Sequence, residues 1–123
     1  MQRVTGIGGF FFRAEDPEAL AIWYRERLGI DPVPRSDEEE PWRQREGVTA
    51  FAPFPRDSEM IGPPGHTWML NFRVDDLDAM VDQLRSAGEA VDVDPERYSM
   101  GRFAAVRDPE GNGIQLWQPM DPA

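Results

Sequence analysis

The sequence predicts an α+β domain that contains the same strand–helix–strands unit twice. Internal repetition is the first observation. At an offset of 60 residues, Phe12-Arg13-Ala14-Glu15-Asp16 lies above Phe72-Arg73-Val74-Asp75-Asp76, and Ala19, Leu20 and Arg25 then meet Ala79, Met80 and Arg85. A second match sets Gly47-Val48-Thr49-Ala50-Phe51 against Gly113-Ile114-Gln115-Leu116-Trp117, with Pro53 opposite Pro119. The third observation is that apolar residues at helical spacing follow both aligned aspartates. Repetition at a fixed period is a fold signature in its own right.

Taken in order, the first strand is expected near 4–13. Asp16 is a good helix N-cap, and Pro17 suits the first helical position, where a missing N–H costs nothing. Leu20, Trp23, Tyr24 and Leu28 then form one helical face, and Gly29 supplies a left-handed stop. Further strands are expected near 30–35, 40–46 and 48–54. Residues 55–65, with Pro55, Gly62, Pro63, Pro64 and Gly65, read as a linker. The second unit opens with a strand near 67–74. Asp76 caps its helix, Leu77, Met80, Val81 and Leu84 form the stripe, and Gly88 ends it. Strands near 90–93, 99–107 and 113–118 complete the chain, the last two joined by the turn-forming run Asp108-Pro109-Glu110-Gly111-Asn112. This predicts a single domain, with module 1 at 4–54, the linker at 55–65 and module 2 at 66–118.

Composition bounds the function. A chain of 123 residues with 40% hydrophobic and 29% charged residues suits one soluble globule. It contains no cysteine, which removes disulfides, thiolate metal sites and a cysteine nucleophile. The N-terminus has no signal-like apolar core and no stretch approaches a membrane span, so a cytoplasmic protein without membrane contact is expected. The net charge is −10 and every one of the 13 basic residues is an arginine. Such a surface repels phosphate backbones and argues against nucleic acid as a partner, while serving solubility. It favours a cationic ligand over an anionic one.

Three runs in order carry a family resemblance. They are Gly6-Ile7-Gly8-Gly9-Phe10-Phe11-Phe12 followed by Asp16-Pro17-Glu18-Ala19-Leu20 and Trp23-Tyr24; Asn71-Phe72-Arg73-Val74-Asp75-Asp76-Leu77; and Asp108-Pro109-Glu110-Gly111-Asn112 followed by Gln115-Leu116-Trp117. Together they resemble the vicinal oxygen chelate superfamily, which includes glyoxalases, bleomycin-resistance proteins and dioxygenases. The resemblance implies two βαβββ modules forming a curved, partly open, barrel-like sheet of eight strands, with one helix packed on each module. It also implies a small-molecule ligand in the cup of that sheet and a homodimer whose cup is completed between subunits.

Alternation along the strands selects the residues that face the cup. If Phe10, Phe12 and Ala14 face the first helix, then Gly9, Phe11 and Arg13 face inward. By the same count Leu70, Phe72 and Val74 face the second helix, leaving Met69, Asn71 and Arg73; Thr49 and Phe51, and Gln115 and Trp117, share the inward side. With Phe103, these make the candidate ligand-binding set: Phe11, Arg13, Thr49, Phe51, Met69, Asn71, Arg73, Phe103, Gln115 and Trp117. Aromatic side chains there suit a flat or apolar ligand, with Asn71, Gln115, Arg13 and Arg73 at its polar ends. Some of these rings would equally fill a small core. Arg13 and Arg73 occupy equivalent repeat positions, and would either bind an anion or pair with the abundant carboxylates.

Metal-binding members of the resembled family place a ligand on the opening and closing strands of both modules. The matching positions here are Gly9, Thr49, Met69 and Gln115. That set offers no charge and no imidazole, so no metal and no cofactor are expected. His66 is the sole histidine and the one weak catalytic candidate, lying after Pro63-Pro64-Gly65 with no carboxylate orienter at a recognisable spacing. The leading expectation is a metal-independent small-molecule-binding protein, and whether it is also an enzyme stays open. The alternatives are a metal-dependent lyase, isomerase or dioxygenase, and a non-catalytic subunit that pairs with another protein.

Overall fold

The computed structural model describes residues 1–120. Helix α1 spans Pro17–Leu28, followed after a long irregular stretch by strand β1 (Leu70–Arg73), helix α2 (Leu77–Ser86), and strands β2 (Asp92–Val93), β3 (Gly101–Arg107) and β4 (Gly113–Pro119). The four strands form one sheet in the order β1-β4-β3-β2, with β1 parallel to β4 and the other pairs antiparallel.

Both helices begin and end as their sequences dictate. Asp16 accepts the backbone N–H of Ala19 at 3.1 Å, and Asp76 accepts that of Ala79 at 3.0 Å. Gly29 adopts φ +73° and returns its N–H to the Arg25 carbonyl, closing α1. A side chain from the sheet completes the start of α2: Gln118 Oε1 accepts the Leu77 N–H at 2.7 Å.

The core lies on one face of the sheet. Leu77, Val81 and Leu84 of α2 meet Ala104 and Val106 of β3 and Ile114 and Leu116 of β4, and Leu20, Trp23 and Tyr24 of α1 join the same cluster. Leu77, Leu84, Ile114 and Leu116 are fully buried, and each contributes about 1.5–3 kcal/mol relative to exposure. Glu89, just beyond α2, accepts from the Trp23 indole at 3.2 Å and the Arg27 guanidinium at 3.3 Å, tying the two helices together.

The expected strands of the second half are present, with β2 and β1 shorter than the 90–93 and 67–74 anticipated. The first half differs. The segments 4–13, 30–35, 40–46 and 48–54 carry no strand, so the described sheet has four strands where eight were expected, and α1 packs into the core of the second half's sheet. These segments are extended-type sequence without a ladder partner, and β-propensity alone does not make a strand. Their apolar side chains are correspondingly open: Val4 and Phe11 are each 90% exposed and Phe51 86%.

Candidate functional site on the open sheet face

Cross-strand register assigns each strand residue to a face. Leu70 and Phe72 of β1 sit beside Ile114 and Leu116 of β4, and these in turn beside Val106 and Ala104 of β3, forming the helix-covered side. Their neighbours in sequence form the other side in two rows. Asn71, Gln115 and Ala105 make one row; Arg73, Trp117 and Phe103 make the next. No helix covers this side among the described residues, and its polar and aromatic groups are partly to largely exposed.

The first row is held by a direct bond: Asn71 Nδ2 donates to Gln115 Oε1 at 2.7 Å. That leaves the Gln115 amide N–H groups and the Asn71 carbonyl free to meet a ligand. Ala105 beside them is exposed and small, so the row is low at that end.

In the second row, the Trp117 and Phe103 rings lie nearly parallel, 7° between planes, with centroids 6.3 Å apart. Trp117 Nε1 donates to the Met100 carbonyl at 2.8 Å, which fixes the indole in its plane. Tyr98 meets Phe103 edge to face at 5.8 Å, and its hydroxyl donates to Asp94 at 2.8 Å. That hydrogen bond, with burial and the charges of Asp94 and Glu96, pushes the Tyr98 phenol up to about 12. The ring pair is therefore braced from the β2–β3 side.

Arg73 ends the row on β1. Its guanidinium donates to the Arg45 carbonyl at 2.9 Å and lies against Gly47, where a Cβ would overlap it. Glycine at 47 therefore makes the seat for Arg73. Asp75, two residues further along, pairs with Arg45 and so does not neutralise Arg73. Among the described residues Arg73 has no carboxylate within salt-bridge reach, although the chain carries 23 acidic residues.

Along the free edge of β1 runs an open cleft of about 1750 Å³, bounded opposite by residues 42–58. It exceeds the ~300–1,000 Å³ of a closed small-ligand pocket. Of the expected set, Thr49, Phe51, Met69, Asn71, Arg73 and Gln115 line this cleft, while Phe103 and Trp117 lie further across the same sheet face. Phe11 and Arg13 are exposed and line neither. Their neighbours explain this: Phe10 and Phe12 pack on Trp68, and Phe12 also reaches Tyr24, which turns the intervening residue outward. Trp42 packs edge to face on Phe72, which belongs to the helix side. Gly47 and Ala105 were not anticipated as site residues. Gly47 stands out in the sequence only as the repeat partner of Gly113.

The donor set does not fit a divalent metal. Gly9 offers no side chain, Thr49 is exposed, Met69 supplies a thioether, and the Gln115 oxygen is already taken by Asn71. Among the described residues, no three of His, Cys, Asp and Glu converge. His66 sits in a turn, its N–H bonded to the Pro63 carbonyl at 3.1 Å, and shares a small hollow with Glu110 and Asn112 at the hairpin tip, as well as lining the cleft.

Comparison with known proteins gives a consistent answer. The family model described as the Glyoxalase/Bleomycin resistance protein/Dioxygenase superfamily matches residues 6–116. The structure is similar to TnmS3, described as an antibiotic binding protein from Streptomyces sp. CB03234, with 28% identity, a TM-score of 0.64, and coverage of 98% of this chain and 100% of that one. A glyoxylase/bleomycin resistance protein/dioxygenase domain from Frankia sp. EAN1pec shares the fold at 20% identity and a TM-score of 0.57, with coverage of 96% of this chain and 100% of that one. A segment of 74 residues, 59% of the chain, is 35% identical to a protein named as a glyoxylase, CFP32, of Mycobacterium bovis and Mycobacterium tuberculosis. The matched segment covers only 28% of the length of those curated relatives. No helix of the described residues is long and apolar enough to cross a membrane.

Proposed function

The chain belongs to the glyoxalase/bleomycin resistance protein/dioxygenase superfamily, and from that premise we propose that it is a small-molecule-binding protein that holds its ligand on the open sheet face without a metal or other cofactor. The observation that carries this is the contrast between the two faces. One is filled by helices and closed. The other presents an amide pair, a guanidinium and two parallel rings, all bonded or braced into place, with no helix packed over them among the described residues. Sites that bind small organic molecules combine apolar surface with a few fixed polar groups in this way. The relative TnmS3, described as an antibiotic binding protein, makes sequestration of an antibiotic-like molecule the activity to test first.

The reading extends to the assembly. The repeat predicts four further strands in module 1, and the exposed Val4, Phe11 and Phe51 are apolar surface that a soluble protein covers. The homodimer is the proposed setting in which the first-half segments find ladder partners, the eight-stranded cup forms and the cleft closes. The cysteine-free composition suits a cytoplasmic location.

The test is native mass spectrometry and calorimetry against a panel of antibiotics and metabolites, with and without EDTA. Saturable binding at one ligand per chain, unchanged by the chelator, is expected. Silence across the panel overturns the reading. So does binding or turnover that EDTA abolishes and nickel, zinc, iron or manganese restores, which would instead establish a lyase, isomerase or dioxygenase.

A further inference from the structure

We propose that the ligand is a flat ring system bearing an anionic group, with its ring on Trp117 and Phe103 and its anion on Arg73. The inference rests on the open face being the ligand site, and names the chemistry that face selects. Three observations lead to it.

The first is the order of side chains across the sheet. Arg73, Trp117 and Phe103 are direct cross-strand neighbours. Adjacent strands lie about 4.8 Å apart, so the backbone of Arg73 is one strand spacing from that of Trp117 and about two from that of Phe103. The guanidinium itself reaches toward Arg45 and Gly47 across the free edge of β1. A ligand that meets both the guanidinium and the rings must therefore carry its anionic group on a substituent that extends beyond the ring toward the β1 edge. Trp117 and Phe103 form a parallel, stacked pair with centroids 6.3 Å apart, and a flat ring can extend such a stack.

The second is the state of Arg73. Among the described residues, four of the 13 arginines, Arg27, Arg35, Arg45 and Arg102, pair with carboxylates; Arg73 is among those that do not, and it is the one placed in the same row as the ring pair. Arg73 is partly buried, is seated on Gly47 and spends one N–H on a neutral carbonyl. Its remaining donors have a fork geometry suited to a carboxylate, sulfonate or phenolate. Asp75, the nearest acidic residue in sequence, is engaged by Arg45.

The third is the amide pair beside Arg73. With Gln115 Oε1 bonded to Asn71, the Gln115 N–H groups add neutral donors in the neighbouring row of the same face. Donors therefore predominate at this end of the site.

The net charge of −10 opposes an anion in principle. Charges beyond about 8 Å are largely screened at physiological ionic strength, while a hydrogen-bonded contact at a partly buried guanidinium is not. The local cation decides.

The experiment uses three probes with one ring: 2-naphthoate, 2-naphthamide and 2-naphthylmethylammonium, titrated calorimetrically into the full chain. The naphthoate is expected to bind about tenfold tighter than the amide, the factor of one charge-assisted hydrogen bond, and the ammonium weakest. Arg73→Gln should erase that preference, costing the naphthoate about tenfold more affinity than it costs the naphthamide, and Arg73→Lys should keep part of it, since the charge remains and the fork is lost. Phe103→Leu should weaken all three probes alike. Circular dichroism establishes that each variant is folded. Equal affinity for the three probes, preference for the ammonium, no binding of any of them, or a naphthoate preference that survives Arg73→Gln each overturns the inference. The broad panel separates this from the parent reading: a panel ligand whose affinity ignores Arg73→Gln sinks the anion assignment alone, and silence across the panel sinks both.

Discussion

Asp108 shows how a single buried group governs this chain. It is 5% exposed and accepts four hydrogen bonds: from the Tyr24 hydroxyl at 2.7 Å, the Glu110 N–H at 2.9 Å, and the Asn112 N–H and side-chain amide at 3.0 and 2.7 Å. One carboxylate thus folds the β3–β4 turn and fastens it to α1. Asp108→Ala is expected to cost about 2–4 kcal/mol in urea denaturation, because buried donors lose their acceptor. Tyr24 feels the same carboxylate from the other side. Burial, then the Asp108 bond and charge, hold its phenol well above the ordinary value of 10.0. A phenol whose ionisation is deferred by folding adds stability that is complete below pH 10. That stability falls as pH rises further, by up to about 1.4 kcal/mol per unit. The chain has two tyrosines, and the other is Tyr98 at about 12. Absorbance at 295 nm should therefore show no phenolate transition centred near pH 10 in the native state. A transition there worth one phenolate before unfolding would contradict one of the two placements and one worth two would contradict both, and Tyr24→Phe should remove most of the alkaline loss of stability.

Among the elements, β3 is the one whose start sets the site. Gly101 adopts φ +134°, and a Cβ there would overlap the Gln118 carbonyl oxygen and lie 2.8 Å from Trp117 Nε1. No side chain fits, and the backbone angle itself disfavours one. The Tyr98–Gly101 bridge, the Met100 carbonyl that holds the indole, and the ring pair all depend on this turn. Gly101→Ala is expected to destabilise the protein by about 1–3 kcal/mol and to weaken naphthyl probes by displacing Trp117. Unchanged melting and unchanged probe affinity would show that the platform does not rest on this glycine. The helices are tied into the sheet by specific ends. Glu110 at the hairpin tip accepts the backbone N–H groups of Glu15 and Asp16 at 2.7 and 3.2 Å, fixing where α1 begins, and Arg102 forks onto Asp78 in the first turn of α2.

At the scale of the whole molecule, the two halves of a repeated sequence meet different fates. The second half closes a core between its sheet and both helices; the first half contributes α1 and leaves apolar residues outside. Light scattering should give twice the 14.0 kDa chain mass, and Phe11→Glu should shift the population toward single chains by placing a charge on the 90%-exposed apolar position. A wild-type mass of one chain, or a dimer indifferent to Phe11→Glu, would remove this surface from the assembly. The cleft beside β1, wider than a small ligand needs, is the part of the site that such an assembly would narrow.

The residues by themselves determined the local structure and the side of each second-half strand. Caps at Asp16 and Asp76, the stop at Gly29, the turn at Asp108–Asn112 and the alternation that sets Asn71, Arg73, Gln115 and Trp117 on one face all follow from short-range sterics and a period of two. Only the tertiary structure decided which extended segments become strands, because a ladder needs a partner and partners are distant in sequence. It also decided that Arg73 keeps its charge free while Arg45 takes Asp75, and that Trp117 and Phe103 lie parallel. Those outcomes depend on which groups compete for the same neighbour in space, and a linear pattern carries no term for that competition.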